Sequence, residues 1–235
     1  MFKLYQYNDN DYRIVIPKTM RHGFGYISTK NKNTEPDKDE VLRCALSRSK
    51  RLIREISLSN DFTYFFTATV NSAFADRFSL TEVQNKIRKI CKAIKRKNKG
   101  FKYIFITERH LNGAFHFHGL CTDLDLYDNE YNYLSSKDFD TLGFNSFSPI
   151  LSKQKVSNYI TKYISKDCVR NEAGSVYFCS RGLKHASVYN IEDIPLDDYL
   201  VQKPYENDYC KIYDFNLEKL NSQELLFLID NLKTI

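Results

Sequence analysis

The alternation of apolar and polar positions predicts three clear elements in the first half of the chain. Residues 62–70 alternate bulky and small side chains among good β-formers, which predicts a strand. Ser79 and Glu82 form a capping-box pair, and the apolar stripe after them predicts a helix that ends near Gly100. Residues 41–56 also have helical spacing and carry several basic side chains. A strand between two helices is therefore expected.

The second half adds a hairpin, a helix and a further strand. Residues 101–108 and 114–121 predict the two hairpin strands, followed by a helix at 152–166 and a strand at 175–180. This order is typical of an α+β domain with a central, mainly antiparallel sheet and flanking helices. Weaker patterns predict a strand at 12–16, an insertion or long loop at 123–145, and a short closing helix at 221–233.

Composition and charge divide the chain into three segments. Residues 1–40 are predicted to be an N-terminal extension and linker, 41–186 the main domain, and 187–235 an acidic C-terminal extension with the short helix. The last segment carries four Lys against ten Asp and Glu, whereas the preceding residues carry 31 basic against 19 acidic side chains. A basic main domain indicates a polyanion such as nucleic acid as partner, and an ordinary charged surface is the alternative.

Apolar runs and cysteines argue against two classes of protein. No run of about 18 apolar residues is present, so no membrane-spanning helix is expected. The six cysteines are widely spaced without a CxxC pair, which indicates neither a zinc knuckle nor a disulfide framework. A reducing cytoplasm is the expected location.

The most informative polar pattern is a pair of histidines on the second hairpin strand. His116 and His118 are two residues apart, so their imidazoles project to one face, while Phe115 and Phe117 project to the other. Two nitrogen ligands on a rigid strand can hold a divalent cation if a third ligand completes the site. A structural role for both histidines is the alternative. His110 lies at the loop edge and is expected to be exposed to solvent.

Glu108 is the candidate third ligand, and its direction depends on the length of the hairpin loop. A three-residue loop at 111–113, with Gly113 in the left-handed conformation, places Glu108 opposite His116 and on the face of both imidazoles. A two-residue turn would instead pair Glu108 with Phe117 and turn the carboxylate away. We predict the three-residue loop.

Two tyrosines lie one turn apart on the helix predicted at 152–166. Tyr159 and Tyr163 flank an apolar stripe, and Lys162 and Lys166 lie further round on the same side. Packing at the edge of the stripe is one interpretation. Beside a bound cation, a phenol can instead attack a DNA phosphate, because the cation and nearby lysines neutralise charge on the phosphate oxygens. The phosphotyrosine ester keeps the energy of the broken bond, so rejoining needs no nucleotide cofactor.

These features occur together in the order of a known enzyme family, the HUH endonucleases. The resemblance covers residues 45–185 and is greatest to the two-tyrosine initiators of rolling-circle replication in plasmids and single-stranded-DNA phages. Residues 180–183 resemble the short basic element that often follows the tyrosine helix in these initiators. The three motifs of the family are matched by residues 65–69 (Phe-Phe-Thr-Ala-Thr), by His116 and His118 with Glu108 nearby, and by the YxxKY segment 159–163.

The resemblance implies a ferredoxin- or RRM-like core and a specific chemistry. Glu108, His116 and His118 are expected to hold Mg²⁺ or Mn²⁺. Tyr159 is favoured as the first nucleophile, with Tyr163 as the second and Lys162 assisting. The implied reaction nicks single-stranded or hairpin origin DNA through a 5′-phosphotyrosine intermediate and so starts rolling-circle replication in a bacterial host.

The resemblance also implies partners. The sequence contains no Walker A loop, so a helicase and a polymerase are expected from the host or from the replicating element. The oligomeric state is left open, although the helix at 221–233 is expected to dock on the core rather than on a second subunit. The basic residues expected to contact DNA are Arg48, Arg51, Lys92, Arg96, Lys166 and Arg181.

Two alternative functions follow from the same patterns. A related conjugative relaxase or transposase is one, although the YxxKY form favours an initiator. A non-catalytic RRM-like nucleic-acid binder is the other, in which strand aromatics stack on bases instead of filling a core. Those aromatics are Phe62, Tyr64, Phe66, Tyr103 and Phe105.

Overall fold

The computed structural model describes residues 2–18, 37–164, 177–192 and 195–232, which belong to two compact units. A terminal unit is formed by Met1–Glu35 with His185–Ile235, and a central unit by Pro36–Lys184. In chain order the strands are β1 (Phe2–Gln6), β2 (Asp11–Pro17), β3 (Tyr64–Thr69), β4 (Tyr103–Arg109), β5 (Phe115–Cys121), β6 (Tyr127–Asp128), β7 (Leu134–Ser135), β8 (Asn145–Pro149), β9 (Tyr177–Cys179), β10 (Ser187–Ile191), β11 (Tyr205–Glu206) and β12 (Cys210–Asn216). The α-helices are α1 (Lys38–Ser59), α2 (Leu80–Lys97), α3 (Lys153–Ile160), α4 (Leu196–Tyr199) and α5 (Ser222–Asn231), and 3-10 turns lie at Lys137–Leu142, Thr161–Tyr163 and Leu217–Lys219.

The central unit is built on a seven-stranded antiparallel sheet with the order β6-β7-β8-β3-β5-β4-β9. Successive side chains of each strand point to opposite faces. Phe66, Phe105 and Phe117 pack on one face against α2, whereas Ile104 and Leu120 pack on the other against α1 and α3. The predicted α+β class, with a central antiparallel sheet and flanking helices, is confirmed.

Helix α2 follows the predicted pattern. The Ser79 hydroxyl accepts a hydrogen bond from the Glu82 backbone N–H at 3.4 Å and so caps the helix. Val83, Ile87 and Ile94 are buried against the sheet, while the basic side chains between them lie on the outer side. An amphipathic helix therefore covers one face of the sheet.

Helix α3 is shorter than the predicted helix at 152–166. Its α-helical part ends at Ile160, and Thr161–Tyr163 continue as a 3-10 turn. The Thr161 hydroxyl donates to the Asn158 carbonyl at 2.8 Å, so a side chain engages a helix carbonyl where the regular pattern changes. The polar and apolar spacing of the sequence continues through this change, which is why it was not predicted.

Residues 123–145 form regular structure, so the prediction of an insertion or long loop was wrong. β6 and β7 pair with each other, and β7 pairs with β8, which extends the sheet beside β3. Phe139, in the 3-10 turn between them, is fully buried 4.8 Å from the Phe66 ring centroid. Strands of two residues are too short to leave an alternating pattern in the sequence.

Strands from both ends of the chain form one sheet in the terminal unit. Its order is β10-β1-β2-β12-β11, and each described pair is antiparallel. Arg13 donates two hydrogen bonds, of 2.7 and 2.8 Å, to the Asp214 carboxylate 201 positions away. The sequence division at 1–40 and 187–235 separated these strands, because pairing at such a distance leaves no local pattern.

The closing helix α5 packs on the apolar cluster of the terminal unit, as expected for docking on a core of its own chain. Its first turn is fixed by a capping box between Asn221 and Glu224. Leu228 and Leu232 are buried as predicted, but Phe227 takes the place expected for Ile229, which is 51% exposed. No helix among the described residues has the length and apolar content needed to span a bilayer.

The aromatic strand residues serve the core of the central unit. Phe62, Phe66 and Phe105 are buried, and Tyr64 and Tyr103 pack against the cluster beneath α2. Side chains that are covered by a helix cannot offer an open stacking surface to bases. The alternative of an RRM-like binder that uses these five aromatics therefore has no support in the fold.

Gly119 lies on β5 at a point where β4 leaves no room for a side chain. A Cβ there would lie 2.4 Å from the Ile104 carbonyl oxygen and 2.2 Å from a Phe105 ring carbon. We predict that Gly119→Ala forces the strands apart and destabilises the chain by ~2 kcal/mol or more, as overpacking of a core does. Urea unfolding measures the change.

Gly100→Ala is the matched control for this prediction. Its Cβ would meet only the flexible Asn98 side chain, at 3.2 Å. Equal stability of the two variants would contradict the close approach of β4 and β5.

Candidate functional site

The β4–β5 hairpin brings the predicted acid and the two histidines to one face of the central sheet. Glu108 pairs with His116 across the strands, so the two side chains share a face. His110 and Ala114 close the loop with a hydrogen bond of 2.9 Å, and Gly113 has a φ of 86°. The predicted three-residue loop is confirmed. Sequence reasoning placed this hairpin correctly because its register is fixed within a few residues of the site.

Two threonines of β3 hold the imidazoles in place. The hydroxyl of Thr67 lies 3.3 Å from Nδ1 of His118, and the hydroxyl of Thr69 lies 3.1 Å from Nδ1 of His116. A hydrogen bond at one ring nitrogen fixes the ring and directs the other nitrogen, Nε2, toward a prospective ligand. The threonine-containing strand thus orients both histidines, a role that the sequence motif alone did not reveal.

The two histidines have different neighbours. His118 is buried, and its Nε2 lies 2.9 Å from Oε2 of Glu108. His116 is half-buried, and its ring stacks on the exposed His110 at a centroid distance of 3.5 Å. The exposure of His110 was predicted, but its stacking on His116 was not. His110 therefore joins the site from the same strand as Glu108.

Both imidazoles are held in their neutral form near neutral pH. Burial lowers the pKa of His118, although the Glu108 carboxylate opposes that shift. Burial, together with the nearby histidines, lowers the pKa of His116 to about 4. A neutral imidazole keeps a nitrogen lone pair, which is the form that binds a metal ion.

The donor types suit a divalent cation, but the side chains are not gathered around one point. In the part of the chain that the structure describes, no three His, Cys, Asp or Glu side chains lie close enough together to hold a metal ion. Glu108 and His118 are in direct contact, whereas His116 is turned to Thr69 and His110. A carboxylate with two imidazoles is a mixed oxygen and nitrogen set of the kind that Mn²⁺ accepts.

The two tyrosines lie against the histidines from α3 and the turn after it. The Tyr163 ring stacks on the His118 ring at a centroid distance of 3.6 Å and an angle of 14°. Its hydroxyl donates a hydrogen bond of 2.6 Å to the hydroxyl of Tyr159, which is 44% exposed. Phe65 of β3 packs edge-on against the Tyr159 ring at 5.4 Å. A pair of linked phenols therefore lies directly on the histidine pair.

The phenol of Tyr163 is neutral at physiological pH. Burial raises its pKa above the ordinary value, and the hydrogen bond to Tyr159 and the charge of Glu108 act in the same direction. Tyr159 accepts the hydrogen bond and exposes its oxygen to solvent. The two tyrosines are thus chemically distinct.

The basic residues predicted to contact DNA are spread over both sides of the sheet. Lys162 is exposed, with its ammonium 5.5 Å from the Tyr159 ring centroid, and Lys166 lies outside the described residues. Arg48 and Arg51 are exposed on α1, which packs on the same sheet face as the site. Those on the opposite face, on α2, and after β9 are also exposed; they are Lys92, Arg96 and Arg181.

One family model matches the chain. Residues 63–168 match the ORF2 family of replication-associated proteins. The match begins just before β3 and includes the threonines, the hairpin and both tyrosines. It is consistent with a rolling-circle replication initiator and supports a role in the initiation of DNA replication. Searches of curated proteins and of solved structures find no significant match.

The contact between the tyrosines has a measurable consequence. We predict that Tyr159→Phe lowers the pKa of Tyr163, because the acceptor that stabilises its neutral phenol is lost. Glu108→Gln should lower it too, because a negative charge that opposes ionisation is removed. Burial should keep the value above about 10 in both variants. Tyrosine labelled at Cζ with ¹³C gives the titration by NMR.

Tyr213 serves as the internal control for this titration. Burial and its contact with Asp197 raise its pKa in the terminal unit, so neither substitution should change it. A Tyr163 pKa that is unaffected in both variants would contradict the described contact.

Proposed function

We propose that this chain is a DNA strand transferase that nicks one strand of a replication origin and becomes joined to it through a tyrosine. The observation that carries the proposal is the stacking of Tyr163 on His118 at 3.6 Å, with Tyr159 bonded to it at 2.6 Å. Phenols beside a carboxylate and imidazoles combine a nucleophile with candidate metal ligands. The family match supports replication as the process that this chemistry serves.

The proposed reaction is a transfer of one phosphodiester bond. The Tyr159 oxygen attacks the phosphorus, a new bond forms to that oxygen, and the bond from phosphorus to the 3′ oxygen breaks. The phenol loses its proton, and the departing 3′ oxygen gains one to become a hydroxyl. The product is a 5′-phosphotyrosine ester, which a 3′ hydroxyl can attack to restore the strand without a nucleotide cofactor.

The two tyrosines take different parts in this step. Tyr159 is the first nucleophile, since its oxygen is exposed and accepts rather than donates the hydrogen bond between them. Tyr163 stabilises negative charge on the Tyr159 oxygen through that bond, and it is available for a second transfer. The Lys162 ammonium, 5.5 Å from the Tyr159 ring, adds positive charge for the phosphate oxygens.

Glu108, His116 and His118 are the residues that would hold Mg²⁺ or Mn²⁺. A cation bound there would polarise the scissile phosphate and neutralise charge on its oxygens. Thr67 and Thr69 keep the imidazoles oriented and leave Nε2 of each ring for this purpose.

Single-stranded or hairpin origin DNA is the proposed substrate. Arg48 and Arg51 lie in the layer of α1 beside the site, and Arg181 follows β9, so these cations are placed to neutralise backbone phosphates. Strand separation and synthesis are assigned to a helicase and a polymerase of the host or the element, in the cytoplasm of a bacterium.

The proposal predicts a covalent adduct. Incubation with Mn²⁺ and a set of single-stranded origin DNAs should give a product that resists denaturation and joins protein to a 5′ end. Tyr159→Phe and Tyr163→Phe should each weaken the adduct, and the double variant should abolish it, because no phenol then remains at the site. Gel electrophoresis of labelled DNA measures the product.

Tyr131→Phe is the control, since Tyr131 is 65% exposed between β6 and β7 and takes no part in the site. An adduct that persists in the double variant, or its absence across the whole set of DNAs, would refute the proposed nucleophiles.

Metal removal gives a second prediction. EDTA should abolish adduct formation, Mn²⁺ or Mg²⁺ should restore it, and His118→Ala should prevent the recovery. Thr67→Val keeps the shape of the side chain but removes the hydroxyl from His118, so Mn²⁺ affinity should fall by about 10- to 100-fold. Isothermal titration with Mn²⁺ measures the affinity.

Thr63→Val is the matched control, because the Thr63 hydroxyl contacts the Cys121 carbonyl at 3.4 Å instead of a histidine. Equal Mn²⁺ affinity of the Thr67 and Thr63 variants would show that the hydroxyl does not orient a ligand.

A further inference from the structure

A cavity of about 490 Å³ lies beside Tyr159 in the central unit, on the side away from Tyr163. It opens between the end of β8 and the first turns of α3. Phe65 and Val156 line it, and Leu151 forms part of its wall. The volume is in the range of sites that hold small organic ligands. No residue role assigned above uses this space.

The lining is apolar and aromatic. Phe65 and Tyr159 form an edge-on aromatic pair at one side, with centroids 5.4 Å apart. Leu151 is 96% exposed, so a large aliphatic side chain stands in water at the wall of the cavity. Exposed apolar surface around a concave site indicates a ligand with an apolar face of its own.

The polar groups of the lining indicate a ligand that is also anionic. The Ser152 hydroxyl accepts the backbone N–H of Lys155 at 3.3 Å and so caps α3. The Lys155 ammonium is the charged group of the lining. An apolar cavity with one cation at its edge fits a flat ring that is attached to a phosphate.

We propose that this cavity holds one unpaired nucleobase of the DNA strand, from a nucleotide that adjoins the phosphate attacked by Tyr159. This inference rests on the proposed function for the identity of the strand. The base stacks on the aromatic pair, and Lys155 contacts the backbone phosphate. Bases in a duplex are paired and stacked inside the helix, so the cavity selects single-stranded DNA.

The chemistry of the lining also defines how the base is recognised. Stacking uses the π face that every base has, and Ser152 spends its hydroxyl on the helix cap. The cavity therefore distinguishes a base from no base more strongly than one base from another. Sequence preference has to come from other parts of the chain.

Binding of two octamers tests the proposal. One is a thymidine octamer, and the other is an abasic octamer with the same number of phosphates. The protein without divalent metal should bind the thymidine octamer more tightly, by about 5- to 150-fold for each stacked base. Leu151→Ser and Val156→Trp, which remove the wall and fill the cavity, should each lower this ratio several-fold. Fluorescence anisotropy measures both affinities.

Two further variants separate stacking from charge. Leu226→Ser, at a leucine that is 60% exposed on α5, should leave the ratio unchanged. Lys155→Gln should also leave the ratio unchanged, but it should reduce the slope of log affinity against log salt by about 0.7, the value for one phosphate contact of a single strand.

The outcomes distinguish the cavity from the nicking reaction. A ratio that stays the same in both cavity variants, or a protein that does not prefer the thymidine octamer, overturns the base site. A ratio that falls in both variants while no covalent adduct forms supports the base site and removes the nicking reaction instead. Because Leu151 is a surface position, its variant remains informative if Val156→Trp fails to fold.

Discussion

The register of three neighbouring strands is the constraint on which the site depends. β3, β5 and β4 align Thr69, His116 and Glu108 in one row across the sheet, and His118 lies beside Thr67 in the next. Every polar member of these rows points to the same face, because side chains along a strand alternate. A shift by one residue would bury these groups among the phenylalanines beneath α2. Close approach of the strands at Gly119 is one feature that fits this register and no other.

On that polar row, the helix and its 3-10 continuation add the phenols. Ile160 and Ile164 are buried against the sheet face and so fix the height of the segment above the histidines. Tyr163 then has a ring beneath it and a hydroxyl beside it, and both contacts favour its neutral form. The site joins ligands on rigid strands with a nucleophile on an adjoining helix. Such an arrangement preorganises groups that would otherwise have to be brought together.

Features that are local in the chain were predicted well from the sequence. The hairpin loop, the shared face of Glu108 and the histidines, and the cap of α2 all depend on residues within a few positions of each other. The roles of Thr67 and Thr69 depend on the pairing of β3 with a strand some fifty positions later. That pairing has no local signature. The basic side chains of α2 looked equivalent to those of α1, but only the fold shows that the two helices cover opposite faces.

The joining of β1 and β2 with β10 and β12 in one sheet has a consequence for how the protein is made. During synthesis the first two strands leave the ribosome long before their partners, and all of the central unit is translated in between. The central unit has its own hydrophobic clusters and its sheet partners within one stretch of chain. It can therefore fold while the ribosome is still working, whereas the hairpin of β1 and β2 must wait with open edges until translation is nearly complete.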